Sequence, residues 1–91
     1  MPITPIVQSI EEANVSSQLH EAEKKMSSTD GELVLDCSTI RRVDASALHA
    51  MERFAHVAED KGVKVVLRGV NVEIYKVLKL TKLSSRFSFT N

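Results

Sequence analysis

One cysteine, two prolines and three glycines among 91 residues rule out several kinds of chemistry at once. Cys37 has no partner for an internal disulfide and sits inside an apolar run, the setting of a small core residue. The three glycines stand singly, so there is no glycine-rich loop to cradle a phosphate. No apolar run approaches the roughly 18 residues that a membrane span requires. No basic segment followed by an apolar stretch marks a secretory leader, so a cytoplasmic location is expected. Repeats, linkers and low-complexity tracts are absent. No nucleophile, base and orienting group can be assembled, so neither catalysis nor a cofactor is expected. His49 and His56 lie near one helical stripe but lack a third ligand, which argues against a metal site.

What is present is an ordinary globular composition, 43% hydrophobic and 26% charged. The length supports one domain, residues 1–91, with a single core and little room for a buried cleft. Lys and Arg number 12 and Asp and Glu number 12. The balance hides an asymmetry. Lys61, Lys64, Arg68, Lys76, Lys79, Lys82 and Arg86 face only Glu73 in the last third, and the earlier part is acidic. General nucleic-acid affinity is not expected, but a local basic face is available to an acidic partner or anionic lipid.

The hydrophobic spacing alternates between two periods. Ile3 to Val7 reads as a short strand, and Pro2 and Pro5, which lack amide donors, place it at a sheet edge. Val15, Leu19, Ala22 and Met26 recur at helical spacing, with Ser9 and Asn14 as competing caps. A turn over Ser27 to Gly31 leads to Leu33-Val34-Leu35, a continuous apolar block that predicts a buried central strand. Asp44 offers a cap to a helix carrying Leu48, Met51, Phe54, Ala55 and Ala58, and Gly62 is its expected stop. Val63 to Leu67 is the next strand, ended by Gly69. Asn71 caps a third helix through Ile74, Val77 and Leu78, and Phe87 and Phe89 alternate in a last strand. The fold class is α/β, a small mixed sheet of four to five strands with helices mainly on one face.

Ser46 is the residue of most chemical interest. It falls in the first turn of the second helix, beside unpaired backbone amides and the positive end of the helix dipole, where a phosphate can be held. Satisfying local backbone groups is the competing role for a first-turn serine.

The order from Leu33 to Leu48, a strand ending in Asp36 followed by Val43-Asp44-Ala45-Ser46-Ala47-Leu48, resembles the STAS family, whose best-known members are bacterial anti-sigma factor antagonists. The resemblance covers about residues 32–89. It implies that Ser46, two residues after Asp44, is the acceptor hydroxyl phosphorylated by a partner anti-sigma kinase, an event that separates the two proteins. Ala45 and Ala47 depart from the family's D-S-S-G-L type motif, Lys82 stands where a helix-ending glycine is common, and the usual N-terminal hairpin looks truncated. A second branch is also similar, through Leu67-Arg68-Gly69-Val70-Asn71, Tyr75 and the segment from Leu78 to Leu83: the small STAS subunit that supports the ATPase of bacterial phospholipid ABC transport systems.

The expected partner surface therefore comprises Asp44, Ala45, Ser46, Ala47 and His49. Arg41 and Arg42 join it if they meet a phosphate or acidic partner rather than solvent alone. On the third helix Lys76, Lys79 and Leu80 form a second candidate patch, an exposed leucine ringed by lysines. An open edge at the first strand is expected to allow a homodimer, against which Pro2 and Pro5 act.

Overall fold

A computed structural model describes residues 6–26 and 31–90. Four strands, β1 (Ile6–Ser9), β2 (Glu32–Asp36), β3 (Lys64–Arg68) and β4 (Ser88–Thr90), lie side by side in chain order. Every pair is parallel, in the registers Val7 to Val34, Val34 to Val66 and Val66 to Ser88. The sheet expected as mixed is thus parallel throughout the described strands. Each connection crosses back through a helix, as parallel neighbours require: α1 (Val15–Lys25), α2 (Ala45–Lys61) and α3 (Val72–Leu80). The expectations for residues 2–5 and 27–30 fall outside the described residues.

Side-chain alternation separates the two sheet faces. Leu33, Leu35, Val65 and Leu67 join one core with Val15, Leu19 and Ala22 of α1, Met51 and Phe54 of α2, and Ile74 and Leu78 of α3. All three helices therefore cover the same face. Val34 and Val66 point the other way and lie outside that cluster, yet each is buried within the sheet. Phe54 and Leu67 are fully buried at the centre, and truncating a phenylalanine in such a place costs about 3–5 kcal/mol. Cys37 is buried in the same core, where loss of solvation pushes its thiol up to about 12.

Local signals explain the boundaries. Asp44 accepts the Ala47 amide at 2.8 Å and starts α2, and Asn71 accepts the Ile74 amide at 2.8 Å and starts α3. Gly62 ends α2 in the left-handed region at φ 67°. The first helix is different. Asn14 occupies its cap position without a side-chain cap bond, a 3-10 turn at Glu12–Asn14 precedes it, and Ser9 belongs to β1 instead.

Candidate functional site

The carboxyl ends of parallel strands share one rim, and the loop between β2 and α2 crosses it. Asp36 closes β2 by accepting the Ser38 amide at 3.0 Å and the Arg68 guanidinium at 3.0 Å. The Ser38 hydroxyl, the Ser38 amide and Arg68, in that order, hold its carboxyl down to about 2. Gly69 follows β3 at φ 73°, and a Cβ there would stand 2.8 Å from the Ser38 Cβ. Only a residue without a side chain lets the two turns approach this closely.

Residues 40–42 are gripped from both sides. One carboxylate oxygen of Glu12 accepts the Arg41 amide at 2.8 Å and the Arg42 amide at 2.9 Å. These amides, Arg41 first, hold the Glu12 carboxyl below its ordinary range. From the other side the Asn71 side chain donates to the carbonyls of Ile40 at 3.2 Å and Arg41 at 3.3 Å. Ile40 is buried beneath the loop. The backbone is fixed while the Arg41 and Arg42 side chains remain exposed.

The start of α2 completes the surface. Asp44, Ala45, Ser46 and His49 are exposed, with Ser46 the second residue of the helix. Ala47, expected in the same contact set, differs from these four in burial. It is only 6% exposed and belongs to the core, because the third position of this helix turns toward the sheet. It supports the surface from beneath and lines the floor of the hollow between the starts of α1 and α2.

Lys76, Lys79 and Leu80 are exposed on α3, and Leu80 reaches 83%. The flank of α3 that meets the motif loop is a different one, where Glu73, Ile74 and Val77 line a hollow with Arg41, Arg42 and Val43. Among the described residues no three His, Cys, Asp or Glu side chains converge as a metal-ligand set, and no helix is long and apolar enough to cross a membrane.

Several residues carry no motif signal. Glu12 reads as a possible capping partner for Ser9, yet it serves a loop 29 residues away. His20, Glu23 and Arg53 line one hollow with Ser46 on the seam between α1 and α2, away from the rim. The i, i+4, i+7 spacing of Ser16, His20 and Glu23, a polar stripe next to the apolar one, is the signal that marks their common face.

The family model of the STAS domain matches residues 3–91. The chain is similar in fold to the STAS domain of a SulP transporter from Vibrio cholerae, with a TM-score of 0.77 at 18% identity, covering 99% of this chain and 76% of that one. It is also similar to a candidate anti-sigma factor antagonist from Thermotoga maritima, with a TM-score of 0.74 at 15% identity, covering 99% of this chain and 85% of that one. No match was found among curated proteins. With the family model spanning nearly the whole chain, and Asp36 and Asp44 standing at the strand end and the helix start, the chain belongs to the STAS domain family.

Proposed function

We propose that this chain is a non-catalytic protein-binding module resembling an anti-sigma factor antagonist, whose contact surface is the motif loop with the start of α2, and which is switched by phosphorylation of Ser46. The observation that carries the reading is that Ser46 is exposed at the second position of α2, directly after the Asp44 cap and a loop whose backbone is held by Glu12 and Asn71. A partner kinase would move the γ-phosphoryl of ATP to the Ser46 Oγ, releasing ADP and the hydroxyl proton. The product carries about −1.5 to −2 charges at neutral pH. The Asp44 carboxylate is engaged as the helix cap and repels this dianion. On a docked surface the added dianion would have to give up its water, a cost that favours separation of the complex.

A second reading, the STAS subunit that supports the ATPase of a phospholipid ABC transporter, is favoured by one specific contact. Asn71, which belongs to the residues that resemble that branch, bonds directly to the motif loop, so the two regions form one surface. Lys76, Lys79 and Leu80 on α3 extend either reading with a patch suited to an acidic partner. The outer edge of β1, which pairs only with β2 among the described strands, is a further place for a second copy to dock.

Capture of partners from the native cytosol separates the readings. Recovery of a small Ser/Thr kinase, lost with Ser46→Asp and kept with Ser46→Ala, supports the switch. Recovery of a transport ATPase that tolerates Ser46→Asp supports the subunit role and removes the switch. Incubation with the recovered kinase and ATP must place phosphate on Ser46, and modification solely elsewhere would also remove it.

A further inference from the structure

Two hollows lie along the seam between α1 and α2, and Ser16 and Ser46 line both. They differ in charge. The one at the helix starts, about 320 Å3, is bounded by the carboxylates of Glu12 and Asp44. The one further along, about 290 Å3, is bounded by His20 and Glu23 of α1 and by His49, Ala50 and Arg53 of α2.

On α2, Ser46, His49, Ala50 and Arg53 follow at i, i+3, i+4 and i+7 and share one stripe. Helical side chains lean over the turn that precedes them, so His49 and Arg53 reach back toward Ser46. Ala50 between them contributes only a methyl group and leaves the floor open. Across the seam, Glu23 holds the His20 Nδ1 at 3.7 Å and the Arg53 Nε at 3.9 Å, while the Arg53 side chain remains 73% exposed. A guanidinium at that separation is loosely held, and phosphate oxygens offer it closer, bidentate bonding.

We propose that a phosphoryl group on Ser46 is received in this hollow by Arg53, His49 and His20, with the Glu23 carboxylate as the occupant it displaces. The ligand class is a phosphomonoester dianion carried by the chain itself. The inference rests on Ser46 being the modified residue. The carboxylates of Glu12 and Asp44 on one side repel the dianion, and Arg53 with the two imidazoles on the other attracts it. Arg53 then moves from Glu23 to the phosphate, so modification alters the shape of the α1–α2 seam as well as its charge. Where the phosphate meets an imidazole, opposite charges attract, and that attraction couples the two ionisations.

The test incorporates phosphoserine at position 46 during translation, which needs no kinase, and follows its second ionisation by phosphorus NMR. The same chain in urea serves as reference. The expected result is a phosphate pKa lowered by about half a unit or more in the folded protein, accompanied by an upward shift of the His49 titration. Arg53→Gln and His49→Gln should each remove part of that shift, and Glu23→Gln should deepen it. Amide fingerprints of the unmodified variants establish that each still folds. A helix start acting alone would lower the phosphate pKa equally in all of them, so an unchanged titration in Arg53→Gln and His49→Gln overturns the proposal. Failure of a kinase to modify Ser46 would instead undo the switch reading and leave this titration as it stands.

Discussion

Lys82 holds the same backbone position after α3 that Gly62 holds after α2, at φ 65° against 67°. Both helices close in the same way. Gly62 donates to the Glu59 carbonyl and Val63 to that of Ala58, and in parallel Lys82 donates to Lys79 and Leu83 to Leu78. In each case the following apolar residue, Val63 or Leu83, folds back into the core. The closing bonds and the apolar contact thus define the turn, and they hold a lysine in a conformation that favours glycine.

Lys82→Gly is therefore expected to stabilise the protein by about 0.5–1 kcal/mol. Relief of about 1–2 kcal/mol of left-handed crowding is partly offset by the greater freedom of glycine in the unfolded chain. Urea unfolding midpoints measure it. Gly62→Ala should move the midpoint the other way, by about 1 kcal/mol. No gain from Lys82→Gly would mean that the exposed lysine stabilises the folded state in some other way.

Gly69→Ala should destabilise by about 2 kcal/mol or more. The positive φ disfavours any side chain, and the new methyl would collide with Ser38, whose turn carries the Asp36 hydrogen bond. Thermal unfolding reads the loss. Weakened protection of the Ser38 amide would place the disturbance at the rim.

Asp36 sets an acid limit. Its folded-state carboxyl titrates near 2, below the ordinary 3.8, so it stabilises the folded form above about pH 4. That contribution falls away as pH drops from 4 toward 2. Asp36→Asn should therefore reduce stability at neutral pH, and the difference from the parent should narrow across that window. A gap that stays constant down to pH 2 would contradict the assignment.

Glu12 offers a local readout of the loop. Glu12→Ala should speed hydrogen exchange at the Arg41 and Arg42 amides by about tenfold, whereas Glu12→Gln, which keeps an acceptor oxygen, should restore most of the protection. Because the folded-state pKa of Glu12 is depressed, acid should weaken the grip as pH falls through that lowered value,.

Signals that act within a few residues were the legible part of this chain. The Asp44 and Asn71 caps, the Gly62 stop and the apolar block of β2 each depend on neighbours close in sequence. The rest depends on contacts that exist only once the sheet has assembled. Glu12 reaches the amides of Arg41 and Arg42 because β1 lies beside β2, and Gly69 meets Ser38 because β2 lies beside β3. The inward turn of Ala47 follows from how α2 rolls against the sheet, which no motif records. Ser46 was legible as a first-turn residue because Asp44 marks the helix start two positions before it,.

The unbroken strand order carries one more implication. In doubly wound proteins ligands settle where the order reverses and helices diverge to opposite sides, opening a crevice beyond the strand ends. Here the four described strands succeed one another without reversal, beneath helices on one side. Among the described strands the topology therefore opens no crevice of that sort. The hollows at this rim are instead framed by loops and helix starts, as where Asp36, Ser38 and Thr39 face Glu11 and Glu12, so what the rim can hold is set by turn residues and not by the strand order.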